Sequence, residues 1–439
     1  MLFNDILGPL TQQIEDAKRI LECNERLRTA KSISVVDEPT AGAQNIYIVN
    51  PASWHVHNHC AAVMRTYAIF QNFVNELVAA WLNRLPLLYP QYSELPDGFR
   101  NKFRSGVAQV LTSRDSSRYK DLSEIEIVGG FYNGVAGKKT YSLLPEAFFA
   151  DRSNYRWDVL FNTMRNAGID SAQSVVSDNS ELKAFVSDSY DEQTSLKAEL
   201  DRILEFRNVA AHSEVTETLG TKELIRMTEY VRLLSKSLAI ATEDALVSKA
   251  IEMKAVVLIG AISHFFRDNI VEVTVGNEFN FKVGMKIAVN VANHREFADI
   301  LDIEVDHVKF TEKRALVGQK IGLKLSQSPA AKSELLYIPA LFESFKSEPG
   351  IRLSAYRGDT EPWRIDRLER VKGYICALAD QNGNAKLLEK IAELHDHKGD
   401  LTVTWKEVPE QQEKDFVVTA WKSAIGDYTD SVTHQEPQQ

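Results

Sequence analysis

A chain of 439 residues is longer than one hydrophobic core usually serves, and a net charge of −10 is the wrong sign for a protein that coats nucleic acid non-specifically. The hydrophobic fraction of 44% and charged fraction of 26% are those of a folded globular chain, and no apolar window long enough for a membrane span is present. Cys23, Cys60 and Cys376 stand far apart with no CxxC pair, which predicts a reducing cytoplasmic setting without structural disulfides.

The first stretch, MLFNDILGPLTQQIEDAKRI, is acidic and amphipathic and lacks the basic region and apolar core of a secretory signal. From Cys60 to Leu85, Val63, Tyr67, Phe70, Val74, Leu77 and Trp81 recur at steps of three and four, predicting a long helix stopped by Pro86. Just before it, HVHNHC (His55, His57, His59, Cys60) has the look of a metal cluster. Alternate residues share a face only on an extended strand, however, so the segment reads as a polar helix entry and no metal is expected. The window Arg100–Lys120 collects Arg100, Lys102, Arg104, Arg114, Arg118 and Lys120 against one acid, Asp115. It is either a solvated face or a local groove for RNA phosphates.

Alternation in SEIEIV and the glycine-rich GGFYNGVAGKKT predict a small hairpin or flap; the glycine spacing misses that of a phosphate loop, with Tyr132 where a glycine is needed. SNYRWDVLFNTMRNAGI restarts a helix, with Ser153 as N-cap and Gly168 beyond its end. Leu196, Leu200, Ile203 and Leu204 form the next stripe, and Leu224, Met227, Val231, Leu234 and Leu238 another. Helices without βαβ alternation predict a helical bundle over residues 1–253.

Near residue 254 the pattern changes. AVVLIGAISHFF, NIVEVTV, FKVGMKIAV, ADILDIEVDHVKF and QKIGLKL are short runs of alternating valine and isoleucine separated by glycines and charged turns, predicting a small closed β-barrel over residues 254–340. Between Ala255 and Pro339 ten basic and ten acidic residues cancel. Residues 341–439 predict a small α/β region, with a helix at AKLLEKIAELHDH, a strand at DLTVTWKEV and an acidic tail. The whole is a multidomain α+β chain.

LEFRNVAAHSE, Leu204–Glu214, places Arg207 and Asn208 near the end of a predicted helix, with His212 five positions beyond the arginine. Arginine presents a planar fork of donors that matches phosphate oxygens, and histidine exchanges a proton near neutral pH. Cleavage of RNA through its own 2′-hydroxyl needs little more than such a pair and no metal. On an ideal helix five residues give about 7.5 Å of rise and about 140° of rotation, so one chain does not form a compact pair unless the helix unwinds; two copies meeting would supply one. The bland alternative is a helix-end arginine and a capping histidine.

This segment resembles the R-x(4–6)-H signature of the HEPN superfamily, carried here by Arg207, Asn208 and His212. MRTYAIFQNFVNELV, SNYRWDVLFNTMRNAGI and LDRILEFRNVAAH are similar to successive landmarks of one bacterial HEPN branch, over roughly Cys60 to Ala245. The resemblance implies a helical bundle that forms a homodimer. It implies a metal-independent endoribonuclease with His212 as acid–base residue, Arg207 as phosphate clamp and Asn208 as polar helper. Position 71, where the branch leads one to expect an acid, is glutamine, which leaves Glu205 as the nearest accessory carboxylate. IGAISHFFRDNIVEVTV, the turn Val283–Ile287 and VGQKIGLKL at Val317–Leu325 resemble domain II of translation elongation factors, a barrel that contacts tRNA ends or ribosomal RNA.

Together these imply a cytoplasmic enzyme without cofactor that cleaves tRNA or ribosomal RNA in anti-phage defence or toxin-type growth arrest. An inhibitor, activator or modifying protein would restrain it. The alternative is a non-catalytic adaptor or nucleotide-binding sensor that docks on a ribosome or a defence complex.

Overall fold

The computed structural model describes residues 2–30, 50–116, 119–120, 122–137, 141–149, 154–189, 194–212, 215, 217–267, 269–291, 293–342, 353–354, 371–373, 375–376, 387–397, 400–405, 413–414 and 416–420. The chain divides into two compact units, Met1–Ile338 and Pro339–Gln439. The first holds a helical region and a closed barrel.

The helical region is built on two long helices, α2 (Pro51–Leu88) and α10 (Thr221–Glu252), which pack on each other and share α1 (Asn4–Ala30). The stripe of α2 is buried as the spacing requires: Val63, Phe70, Val74 and Leu77 are all fully covered. Two details differ from the expectation. The helix begins at Pro51, whose missing N–H costs nothing in a first turn, and Asn50 caps it by accepting Ala52 N at 2.9 Å. HVHNHC is therefore the opening of the helix and not its approach. Pro86 lies inside the last turn and the helix runs on to Leu88.

The predicted hairpin is also a helix. After α3 (Asp97–Thr112), residues Glu124–Val135 form α4, started by a capping box between Ser123 and Glu126. Two of its glycines serve close packing: a Cβ on Gly130 would meet the Ser142 carbonyl oxygen at 2.3 Å, and one on Gly134 the Tyr92 ring at 2.7 Å. A run of six residues alternating Ile and Glu cannot by itself distinguish strand from helix, and the cap decides. α5 (Glu146–Phe149) follows, then α6 (Trp157–Asn166), α7 (Ala172–Asp178), α8 (Ser180–Ser189) and α9 (Leu196–His212). Ser153 lies outside the described residues. Arg156 holds the N-cap position of α6 without a side-chain bond, and Asp201 of α9 accepts Trp157 N at 3.2 Å in its place. Gly168 ends α6 at φ +86°, where glycine is unstrained.

Among the described residues nine strands follow: β1 (Val257–Arg267), β2 (Ile270–Val275), β3 (Phe279–Lys282), β4 (Lys286–Val291), β5 (His294–Val305), β6 (Val308–Phe310), β7 (Glu312–Ala315), β8 (Lys320–Leu325) and β9 (Glu334–Tyr337). The order β4-β9-β1-β2-β8-β5, with β4 pairing back onto β5, closes a six-stranded antiparallel barrel. The closing strand, ELLY, is short and was not among the predicted runs. Val271, Val273, Ile287, Ile300, Ile321 and Leu323 are fully buried and form its core. Barrel and helices meet where α10 packs on β5. There Glu243 accepts Phe297 N at 3.0 Å and Asp244 accepts Arg295 N at 2.9 Å, so two carboxylates of a helix satisfy the edge of a strand.

In the second unit Leu353–Ser354 (β10), Ile391–His397 (β11) and Asp400–Trp405 (β12) form a three-stranded antiparallel sheet in the order β10-β12-β11. Of the helix expected over AKLLEKIAELHDH, the described residues are helical at Leu387–Lys390 and not beyond. From Ile391 the chain is extended, because pairing with DLTVTW overrides a helical propensity that is only a weak prior.

Candidate active site

Helix α9 runs unbroken from Leu196 through His212. Its apolar stripe seats it on α2, with Leu200, Ile203 and Leu204 buried, and this packing brings the Arg207 turn over the Tyr67 turn. The Arg207 guanidinium lies 5.4 Å from the centre of the Tyr67 ring, a cation–π contact that holds the cation without neutralising it. Its Nη1 donates to Asn208 Oδ1 at 3.1 Å, and Asn154 Nδ2 donates to the same oxygen at 3.2 Å. Asn154 is in turn positioned through its neighbour: Tyr155 N donates to the Tyr67 hydroxyl at 2.8 Å, and the Tyr155 hydroxyl to Asn75 Oδ1 at 2.8 Å. Tyr67, Gln71 and Asn75 stand one turn apart along one side of α2.

No carboxylate pairs with Arg207 among the described residues, and its buried Nε has no hydrogen-bond partner among them. Arg202, on the same helix, makes the contrast. It is gripped at 2.9 and 3.1 Å by the buried carboxylate of Glu199. One arginine of α9 is thus paired with a carboxylate of its own helix, while the other is held by a ring and an amide.

His212 is the last residue of α9. With the helix continuous between them, Arg207 and His212 are separated by about 140° around the axis, so one copy of the chain does not place them side by side. Glu205 is exposed and two positions before Arg207, on the far side of the helix, and the structure does not bring it to the arginine.

The basic window is divided. Arg100 and Arg104 line a pocket of about 250 Å³ with Tyr92 and Phe131, and Arg100 also pairs with Asp97. Lys102 faces a different cavity. Arg114 is bound to Glu124 at 2.7 Å and Lys120 is exposed, while Arg118 lies outside the described residues. These residues ride on α3 and the turns after it. α3 packs on α4 and α5, whereas α9 packs on α2 and α6, so the window and the motif belong to different neighbourhoods of the bundle.

His59 is fully buried under the motif helix. Its Nδ1 accepts Leu219 N at 3.1 Å and its ring meets Phe206 edge-on at 5.5 Å. Burial, reinforced by His55, lowers its pKa, with Glu217 acting in the opposite sense. This histidine is a neutral acceptor that ties the loop before α10 to α2. Among the described residues no three His, Cys, Asp or Glu side chains converge on a metal position, and no helix is long and apolar enough to cross a membrane.

Tyr67 and Asn154 are the site residues that sequence reasoning passed over. Tyr67 was legible only as one member of an apolar stripe, and Asn154 carries no spacing signal at all.

The site is thus an arginine without a carboxylate partner among the described residues and a histidine at the end of the same helix. The family model for MAE_28990-like HEPN domains matches residues 18–251, more than half of the chain, and the chain belongs to this HEPN family. No curated protein and no solved structure matches it.

Proposed function

We propose that the chain is a metal-independent endoribonuclease whose site is completed in a homodimer. The observation that carries this reading is the Arg207 guanidinium, preorganised on Tyr67 and Asn208 with no carboxylate to neutralise it among the described residues. A phosphodiester would take the place that a salt bridge would otherwise fill, and its developing charge would be stabilised in the transition state. His212 would take the proton of the ribose 2′-hydroxyl or return one to the leaving 5′-oxygen. The 2′-oxygen then bonds to phosphorus as the phosphorus–5′-oxygen bond breaks, giving a 2′,3′-cyclic phosphate and a 5′-hydroxyl. The continuous helix between the two residues supports assembly from two chains, since an Arg207 and a His212 from different copies can approach where those of one copy cannot.

The barrel is proposed to be of the translation-factor domain-II type. Its closed six-strand ring and the glycine turns at Gly284 (φ +85°) and Gly318 (φ +82°), within the two segments that carry the resemblance, support this. Such a barrel would direct the nuclease to tRNA or ribosomal RNA in anti-phage defence or growth arrest, with a partner protein as restraint or trigger.

The test is incubation of the purified protein with total RNA and with tRNA in excess EDTA, beside Arg207→Ala and His212→Ala, with product ends mapped. Cleavage by the wild type alone, leaving cyclic-phosphate ends, supports the enzyme. Silence of the wild type, sustained after addition of infected-cell extract, replaces it with the adaptor or nucleotide-binding reading.

A further inference from the structure

Away from α9, the ends of α2, α6 and α10 and the first turn of α3 enclose a cavity of about 300 Å³. Three independent features set its character. Lys102, Arg165 and Lys249 reach its wall from three different helices, Lys249 also pairing with Glu252 at 3.0 Å, and Asp170 is the one acid in its lining. In a chain of net charge −10 this is a local excess of positive charge. Second, the start of α3 opens onto the same space through Gly98 and Phe99. Its N-cap, Pro96, supplies no side-chain acceptor, and the first amide there with a backbone acceptor is Arg100 N, bonded to Pro96 O at 3.0 Å. The preceding amides have no helical partner and suit an anion. Third, Tyr89 lines the cavity and is 2% exposed, and its hydroxyl is buried with no hydrogen-bond partner among the described residues. A buried hydroxyl in that state marks a position where a ligand atom belongs. Trp81, Leu85, Leu95 and Phe99 supply an apolar part of the wall, with Trp81 fixed by its indole N–H on Ala167 O at 2.7 Å.

We propose that this cavity binds a nucleoside monophosphate, with the phosphate on the three cations and the α3 amides and the base against the aromatic wall. The volume sits at the small end of ligand cavities, about 300–1,000 Å³, which suits a mononucleotide and not an oligonucleotide. Asp170 supplies an acceptor for a ribose hydroxyl. None of the lining residues belongs to α9, so the site is separate from the proposed catalytic one and stands or falls independently of it.

Isothermal titration of the full chain with AMP, GMP, CMP and UMP, and with adenosine and inorganic phosphate alone, tests the assignment. One mononucleotide should bind with one equivalent per chain, more tightly than its separate halves. Arg165→Glu, an exposed position whose unchanged circular dichroism would show intact folding, should weaken it by about tenfold or more, and Tyr89→Phe by less, since a tenfold loss corresponds to about 1.4 kcal/mol. Arg207→Ala should leave it unchanged. Absence of binding by all four mononucleotides overturns the proposal. So does binding lost in Arg207→Ala but kept in Arg165→Glu, which would place the nucleotide at α9. Equal affinity for inorganic phosphate would reduce the cavity to an anion site and overturn the nucleoside assignment.

Discussion

The side-chain amide of Asn154 donates to the carbonyl oxygen of Asn208 at 3.2 Å, joining two loop and helix positions that lie 54 residues apart. Because the same oxygen also receives Arg207, Asn208 is oriented from both sides. Asn208→Asp would set a carboxylate against the guanidinium and create the ion pair that the wild type lacks. RNA cleavage should fall by about tenfold or more, comparable with losing one preorganised transition-state contact, while the melting temperature holds or rises. Asn208→Ala should cost less. An aspartate variant that cleaves as well as the wild type would remove the uncompensated arginine from the mechanism.

Assembly of the site from two chains has a direct readout. Arg207→Ala and His212→Ala are each expected to be silent, general acid–base groups contributing about 10²–10⁴-fold. Co-folding the two variants should restore activity to about a quarter of wild type, since half the dimers are mixed and each mixed dimer holds one intact Arg–His pair. No recovery, with mixed dimers confirmed by mass spectrometry, would place both groups of each site in one chain.

Two adjacent glycines of α4 should respond in opposite directions. Gly129 has open space where a Cβ would go, so Gly129→Ala should stabilise by roughly 0.5–1 kcal/mol through helix propensity. At Gly130 the added carbon would lie 2.3 Å from the backbone oxygen of Ser142, and the alanine should destabilise by about 1–3 kcal/mol through overpacking. Chemical denaturation of both variants measures this, and equal shifts would mean that α4 does not pack on the Ser142 strand of chain as described.

His59 makes the fold sensitive to mild acid. Burial first, and His55 second, hold its folded-state pKa below the ordinary histidine value. Below about pH 6.5 the unfolded chain therefore binds the proton that the folded chain refuses, and stability is lost as pH falls through that window. The melting temperature should decline from about pH 7 to about pH 5.5. His59→Leu should melt lower at neutral pH, because Leu219 N loses its acceptor, yet show a flatter acid profile. A variant with the wild-type slope would assign the sensitivity to another group.

The helical stripes were legible before any coordinates. Val63 through Trp81 and Leu224 through Leu238 fall at steps that leave one buried face, and the structure buries them. The barrel was legible for the same reason, since alternation of valine and isoleucine every second residue needs a closed or covered sheet. Short segments were not. SEIEIV satisfies both periods, and only the Ser123–Glu126 capping box makes it a helix. IAELHDH has helical composition, yet it pairs with DLTVTW. The strand that closes the barrel, Glu334–Tyr337, is too short to carry a period of its own.

For the site the division is sharper. Sequence alone determined that an arginine, an asparagine and a histidine sit at the end of one amphipathic helix, because a linear spacing records positions along a single element. Tertiary structure alone decided what surrounds that arginine: α2 sets the Tyr67 ring beside its guanidinium, and Asn154 reaches Asn208 from 54 residues away. It also turned Lys102 away from Arg100 and Arg104 toward a separate cavity. Such outcomes depend on which faces of distant helices meet, and that follows from the packing of the whole core and from no local pattern.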